Sequence, residues 1–197
     1  MKQKILISLL CVCHMGFSQE KPMFDNCSKK GKIFNSLTSM NQNIAFDSVC
    51  LDNKKNKIYR NSSYTIILKE NSNKRKYKKE SVFAFFDGLN TYRFYQSEEK
   101  NNPIGYFKIE NLDGLIIYSQ IQYTSTKYSS WTSIKFFYSL TLESPIKSLN
   151  NKNISSDFNN IGFQNEVFKK IESLKNINFQ NYVPVLFDIQ KIYGTYY

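Results

Sequence analysis

The sequence predicts an α+β fold that is mainly β: an antiparallel meander sheet or an open barrel, with helical cover at the C-terminal end. Three patterns carry this prediction. Two Asp-Gly pairs, at 87–88 and 113–114, are each flanked by β-favouring runs, which is typical of hairpins. Residues Ser133–Glu143 alternate between apolar and polar side chains, whereas residues Gln164–Lys175 carry apolar side chains at helical spacing.

The N-terminus has the three parts of a cleavable secretory signal peptide. Residues Met1–Lys4 are positively charged and residues Ile5–Val12 are largely apolar. Small side chains at Gly16 and Ser18 then predict cleavage between Ser18 and Gln19. The apolar run is far shorter than the roughly 20 residues that a membrane span needs.

A lipoprotein anchor on Cys11 or Cys13 is the alternative, but bulky residues precede both cysteines where small ones would be expected. We therefore expect a signal peptide over 1–18 and one mature β-rich domain over 19–197. Such a protein would be exported, and it would be periplasmic or extracellular after cleavage.

Cleavage would change the chemistry that is available to the chain. It would remove two lysines and no acidic residue, so the formal net charge would fall from +11 to +9, and it would remove His14, the only histidine. A mature chain without histidine cannot form a Ser-His-Asp or Cys-His site, and it lacks the usual ligands of catalytic zinc. The sequence also contains no GxGxxG, P-loop, GxSxG, HExxH or EF-hand motif. We therefore predict a protein that is not an enzyme and has no cofactor.

Two cysteines, Cys27 and Cys50, would remain in the mature chain. In an exported protein, a pair outside any CxxC motif favours a structural disulfide over a reactive thiol. The bond would tie an N-terminal arm, predicted to be irregular over 19–42, to a first strand at Ile44–Leu51.

The remaining β-type segments follow in chain order. Residues Tyr64–Lys69 are predicted to form a strand, and the charged residues 71–79 an exposed loop or hairpin tip. The two Asp-Gly hairpins would span Ser81–Gln96 and Pro103–Tyr123. In the alternating segment, the residues expected on one apolar face are Ile134, Phe136, Tyr138, Leu140 and Leu142.

The C-terminal third has a different pattern of apolar and polar residues. Residues 150–160 are predicted to be a polar linker, followed by a helical segment over about 163–193. Within it, Val183–Tyr193 fits a helix opened by Pro184 or a strand, and we favour the helix.

A basic run is the first candidate functional site. Basic residues with an interleaved tyrosine are typical of anion-binding surfaces, including those for single-stranded nucleic acid. Predicted export argues against nucleic acid and leaves acidic glycans or phospholipid surfaces, while a solvated face is the simpler interpretation. The residues concerned are Lys74, Arg75, Lys76, Lys78 and Lys79.

Aromatic residues in a polar loop are the second candidate. Tyr128 and Trp131 lie between two predicted strands, and Trp131 is the only tryptophan. Loop aromatics of this kind are enriched at recognition surfaces. The alternative is that Trp131 caps the core at a sheet end.

Two segments resemble known proteins. The signal ending in Gly16-Phe17-Ser18-Gln19 resembles the export signals of Bacteroidota. Phe94-Tyr95, followed by Ile104–Ile109, resembles small exported β-rich proteins of unknown function from those bacteria. The resemblance implies export and a β-rich fold, and it implies no catalytic or binding residues. The strand count would also suit a lipocalin-like barrel, although the Gly-x-Trp signature of lipocalins is absent.

Three functions fit these observations. The first is an exported, non-catalytic binding module for a protein or a small apolar molecule. The second is a periplasmic immunity or inhibitor protein directed against a toxin or a secreted enzyme. The third is a small hydrolase that works through two carboxylates, with candidates at Asp87, Glu110, Asp113, Glu143 and Asp188.

Overall fold

A computed structural model of the protein describes residues 27–61, 63–97, 104–125, 127, 129–175 and 181–197. The predicted signal peptide and its cleavage site at Ser18–Gln19 lie outside these residues. The predicted α+β, mainly β fold is confirmed: antiparallel sheets are followed by helices at the C-terminal end, and the sheets are open.

The larger sheet has eight strands in the order β11-β10-β9-β8-β7-β6-β1-β2, so β6 to β11 form a meander along the chain. A second sheet has three strands in the order β3-β4-β5. The strands are β1 (Lys30–Phe34), β2 (Asp47–Cys50), β3 (Lys57–Arg60), β4 (Ile66–Glu70), β5 (Asn73–Tyr77), β6 (Ala84–Phe86), β7 (Thr91–Gln96), β8 (Ile104–Asn111), β9 (Ile116–Ser125), β10 (Ser130–Ser139) and β11 (Lys147–Ser148).

One face of the large sheet carries both other layers. Toward β2, its buried side chains pack against the small sheet, and this cluster includes Ile33, Phe85 and Tyr106 with Ile66 of β4. Toward β10, the same face packs against the helices. The small sheet and the helices therefore lie side by side on one face, and the space between them is available for a site.

The helical layer consists of α2 (Asn151–Asp157), α3 (Ile161–Lys175) and α4 (Tyr182–Tyr196). Asn150 caps α2, because its side chain accepts a hydrogen bond from the Asn153 backbone N–H at 2.9 Å. The helices share one apolar cluster with the strands, and its members include Ile117, Tyr138, Ile154, Phe163, Val167, Ile171, Leu186 and Ile189. None of the helices in the described part of the chain is long and apolar enough to cross a membrane.

Both predicted Asp-Gly hairpins are confirmed. They join β6 to β7 and β8 to β9, and Gly88 (φ 92°) and Gly114 (φ 65°) take the left-handed backbone conformation that glycine permits. The Asp87 carboxylate accepts the backbone N–H groups of Leu89 and Asn90, as turn aspartates commonly do. The helix favoured for Val183–Tyr193 is also confirmed, as part of α4.

Two segments predicted to lack regular structure do have it. The arm over 19–42 contains β1 and a short helix, α1 (Leu37–Asn41), and the predicted linker over 150–160 contains α2. The charged segment 71–79, predicted to be an exposed loop or a hairpin tip, forms the tip of the β4–β5 hairpin and strand β5. In each case tertiary packing or capping outweighs a polar local sequence: β1 pairs with both β2 and β6, and β5 pairs with the apolar β4.

The alternating segment ends earlier than predicted. Strand β10 spans Ser130–Ser139, and Phe136 and Tyr138 face the helices as expected. Leu140 is exposed, and Leu142 packs instead with the cluster on the opposite face of the sheet. The cause is a turn after Ser139, in which the Ser144 backbone N–H bonds to Thr141.

Strand boundaries near the N-terminus also differ from the prediction. The strand expected at Ile44–Leu51 begins only at Asp47, because Ile44 and Phe46 are exposed outside the sheet. Strand β3 (Lys57–Arg60) was not predicted. Its four residues are flanked by lysines and asparagines, and the pattern is too short to show a period.

The predicted disulfide between Cys27 and Cys50 is confirmed, with a Cα–Cα distance of 5.7 Å. It fastens the start of the described chain to the edge strand β2. Asp52 adds to this attachment, because its carboxylate accepts hydrogen bonds from both the backbone N–H and the hydroxyl of Ser28.

We expect replacement of both cysteines by serine to lower the free energy of unfolding by about 3 kcal/mol, because the bond closes a loop between residues 23 positions apart. In thermal melts, the midpoint would fall by roughly 6–12 °C for a chain of this length. Reduction of the wild-type protein should give the same fall, and equal midpoints of the oxidised and serine forms would contradict the expectation.

Candidate functional site

The basic run does not form one continuous cationic surface. Lys74, Lys76 and Lys78 are exposed, whereas Arg75 turns toward the large sheet. There Arg75 binds Asp47 (Nε to Oδ2 2.8 Å) and Glu70 (Nη1 to Oε2 2.9 Å). Arg75 therefore ties the small sheet to β2.

Lys79 also lies apart from the exposed lysines. It follows β5 in a short 3₁₀ turn, and its ammonium donates a hydrogen bond to the Gln96 side chain at 3.0 Å. The three exposed lysines are what remains of the predicted anion-binding run.

Of the two predicted recognition aromatics, Tyr128 lies outside the described residues. Trp131 lies on β10, opposite Thr124 of β9, and 52% of its surface is exposed. It does not cap the core. On the other face of the same hairpin, Tyr123 is also exposed.

A groove that sequence reasoning did not find brings aromatic and polar side chains together. The tyrosine groove, as we call it, runs across the large sheet between the small sheet and the helices, and its cavity volume is about 460 Å³. The other surface clefts of similar volume have fewer tyrosines in their walls. The residues that form the groove are Ile58, Tyr59 and Arg60 of β3; Phe85 of β6; Asp87 and Asn90 of the turn after β6; Tyr92 of β7; Tyr106 and Lys108 of β8; Ser119, Gln120, Ile121 and Tyr123 of β9; Ile134 of β10; and Tyr182 of α4.

Sheet register explains how this groove arises. Tyr92 stands opposite Lys108, Lys108 opposite Ser119, and Ile121 opposite Ile134, so these side chains project from one face of adjacent strands. The period-two alternation of each strand thus places polar and aromatic side chains side by side on a rigid floor.

Aromatic contacts fix one end of the groove. The Tyr92 ring stacks on Phe85, with centroids 4.7 Å apart, and Phe85 packs edge-on against Tyr106 at 5.1 Å. Burial, reinforced by the nearby Asp87 carboxylate, raises the pKa of Tyr92 to about 12. The Tyr92 phenol is therefore protonated at neutral pH.

A hydrogen-bonded cluster fixes the other end. Glu110 accepts hydrogen bonds from the Ser119 hydroxyl, from the Lys108 ammonium at 2.9 Å and from the Tyr182 hydroxyl at 3.0 Å. Burial lowers the pKa of Lys108, but the hydrogen bond and charge of Glu110 outweigh burial, so the pKa of Lys108 is raised. Burial, together with Glu110, raises the pKa of Tyr182. The cluster holds the start of α4 against β8 and β9.

One polar group beside the groove has no partner. Tyr106 is 2% exposed, and its hydroxyl makes no hydrogen bond. A buried hydroxyl without a partner is rare in folded proteins. Burial is the main cause of the raised pKa of Tyr106, while the positive charge of Arg60 acts in the opposite direction.

The sheet opens beside the groove. The ladder between β8 and β9 runs only from Asn111↔Ile117 to Lys108↔Ser119, although β9 pairs with β10 along all ten of its residues. The outer part of the β9–β10 hairpin (residues 120–125 and 130–135) therefore extends from the sheet as a two-stranded ribbon. We call it the β9–β10 ribbon.

Three of the five candidate acids, Asp87, Glu110 and Asp188, have structural partners. Asp87 lines the groove but holds its turn, and Glu110 belongs to the cluster at the other end. Asp113 and Asp188 share a second cleft, beside α4, where Asp188 binds Lys170 at 2.6 Å. Glu143 lies in the turn after β10.

Comparison with known proteins gives no match: no family model, no curated protein and no solved structure is similar to this chain. The site therefore has to be interpreted from its own chemistry.

Sequence reasoning missed the groove because its walls come from segments far apart in the chain. Arg60 and Tyr182 are 122 positions apart and lie in elements whose relative placement no local pattern encodes. The available signal was the abundance of tyrosine, 14 residues in the whole chain, several of them in alternating strands. That signal indicates an aromatic sheet face without indicating which part of it stays uncovered.

Proposed function

We propose that this protein is an exported, non-catalytic binding module, and that the tyrosine groove is its binding site for a small, mainly apolar molecule. The observation that carries the proposal is a concave site of about 460 Å³, lined by aromatic and aliphatic side chains around a few polar groups. Small-molecule sites in proteins share this size and composition.

The supporting residues are held before any ligand arrives. Tyr92 is stacked on Phe85, and Tyr182 is fixed by Glu110, so the groove walls do not have to be ordered on binding. Preorganised walls reduce the entropic cost of binding. The disulfide and the predicted signal peptide fit export to an oxidising compartment.

The absence of catalysis is part of the proposal. The carboxylates at the groove are engaged: Glu110 holds Lys108, Ser119 and Tyr182, and Asp87 holds its own turn. Such an arrangement orients a ligand but supplies no general base with a free approach to it.

Binding of the neutral fluorescent probe N-phenyl-1-naphthylamine to residues 19–197 tests this proposal. We expect saturable fluorescence enhancement, and we expect Ile121→Glu to weaken probe affinity at least tenfold because it places a charge on the apolar floor. Leu140→Glu is the matched control, since Leu140 is similarly exposed but lies outside the groove. Equal affinity in both variants would show that the probe binds elsewhere.

The β9–β10 ribbon favours a second candidate, an inhibitor or immunity protein that binds a protein partner. Exposed apolar side chains on the ribbon include Tyr123 and Trp131, and both its faces project beyond β8. Aromatic side chains of this kind commonly dominate protein interfaces. In this case Trp131→Ala would abolish capture of a stoichiometric partner from the native host and leave probe binding unchanged. If Trp131→Ala instead leaves partner capture intact and weakens probe binding, the ribbon is not the partner's binding site.

A further inference from the structure

Arg60 is a cation that lines the tyrosine groove. It ends β3, its side chain is exposed, and among the residues that the structure describes no carboxylate forms an ion pair with it. The two carboxylates beside the groove are engaged elsewhere, Glu110 with Lys108 and Asp87 with backbone N–H groups. The exposed Glu80, whose charge also acts on Tyr106, forms no ion pair with Arg60 within the described part of the chain. Arg60 is therefore free to pair with a ligand.

Arg60 lines the same groove as Tyr92 and as Tyr106, whose hydroxyl has no partner. Burial raises the pKa of both tyrosines, and the positive charge of Arg60 acts in the opposite direction. Because burial keeps the Tyr106 phenol protonated, the hydroxyl can donate a hydrogen bond. A guanidinium and a phenol that line one groove can bind an oxyanion together.

We propose that the ligand of the groove is a small organic anion, with a flat apolar body between Tyr92 and Ile121 and a carboxylate, sulfonate or phosphate group at Arg60 and Tyr106. This inference rests on the proposed function and adds the charge of the ligand to it. The volume of the groove accommodates such a molecule, and the high net positive charge of the chain favours the approach of anions.

The Tyr106 hydroxyl is covered from solvent in the unliganded protein. A ligand oxygen therefore reaches it only after a small movement of neighbouring side chains, and exposed Arg60 is free to make such a movement. Interface side chains commonly change rotamer on binding while the backbone stays in place.

Two probes that share one aromatic skeleton test the charge of the ligand directly. 8-Anilinonaphthalene-1-sulfonate carries a sulfonate, and N-phenyl-1-naphthylamine is the same skeleton without it. With residues 19–197, we expect the sulfonate probe to bind at least tenfold more tightly than the neutral probe at low ionic strength.

Variants then identify the residues that bind the sulfonate group. Arg60→Gln should weaken binding of the sulfonate probe at least tenfold and change binding of the neutral probe less than twofold. Lys76→Gln is the matched control, because it removes the same charge from an exposed position of β5 in the basic run. Tyr106→Phe should weaken only the sulfonate probe, by about threefold to tenfold, in line with one lost hydrogen bond.

The outcomes separate this inference from the proposed function. Equal affinities of the two probes, both reduced by Ile121→Glu, would overturn the anionic ligand and leave the apolar binding site intact. Loss of sulfonate binding in Lys76→Gln but not in Arg60→Gln would also overturn it, in favour of the basic run. Failure of both probes to bind, or binding that Ile121→Glu does not affect, would overturn the proposed function as well.

Discussion

Replacement of Phe163 by alanine is expected to lower the free energy of unfolding by about 3–5 kcal/mol, the range for large-to-small changes in a packed core. The Phe163 side chain is fully buried where the helices meet the large sheet. Its ring contacts Phe158 at 4.8 Å and Tyr197 at 5.4 Å between centroids, so its loss leaves a cavity bounded by α2 and α4.

Urea denaturation followed by circular dichroism measures this change. Phe187→Ala is the matched control, because Phe187 lies on α4 with 65% of its surface exposed, and its loss should change stability by less than about 1 kcal/mol. Equal effects of the two substitutions would contradict the packing of the helices on the sheet, and with it the wall that Tyr182 supplies to the groove.

The Asp47 carboxylate is expected to contribute about 2–3 kcal/mol to the free energy of unfolding, which is the range for losing charged hydrogen bonds in a partly buried site. It accepts hydrogen bonds from Arg75 and from the Tyr77 hydroxyl, and so joins β2 of the large sheet to β5 of the small sheet. Asp47→Asn should weaken these bonds while it preserves the shape of the side chain. Asp188→Asn, at an exposed ion pair with Lys170, is the control and should cost less than about 1 kcal/mol.

The same carboxylate predicts a pH dependence. Burial raises the pKa of Asp47, but the hydrogen bonds of Tyr77 and Arg75 outweigh burial, so the folded-state pKa lies below the ordinary value of 3.8. A carboxyl whose pKa is lowered by folding stabilises the fold fully above its unfolded pKa and loses this contribution as the pH falls through the folded pKa.

Unfolding free energies measured from neutral to strongly acidic pH test whether the contribution of Asp47 to stability is lost on acidification. The wild-type protein should lose more stability below about pH 4 than Asp47→Asn does, because the variant has no carboxyl to protonate. Parallel pH profiles would show that Asp47 does not link the sheets.

The strands and helices that the sequence predicted are those with a strong local signal. The hairpins around Asp87 and Asp113 follow from turn chemistry, and α3 follows from the helical spacing of Val167 and Ile171. The disulfide was predicted from the number and spacing of the cysteines in a chain expected to be exported.

The elements that the sequence missed depend on partners far along the chain. Strand β1 contains Lys30 and Lys32, and it becomes a strand because β2 and β6 pair with its two edges. Arg60 shows the same limit for the site: nothing near it in sequence indicates a groove, and its place in the groove emerges only when β3 is placed opposite α4. The sequence predicted a basic run and two loop aromatics as candidate surfaces, and only the packing of the layers shows which residues line the groove.

The most direct test of the tyrosine groove is to map where a neutral aromatic molecule binds, by amide chemical shifts of ¹⁵N-labelled residues 19–197 titrated with 2-naphthol. The proposal predicts shifts that saturate and cluster at Tyr92, Lys108, Ser119 and Ile121, with little change at Trp131. Shifts confined to the surroundings of Trp131 or to the cleft beside α4, or no saturable shifts at all, would contradict it.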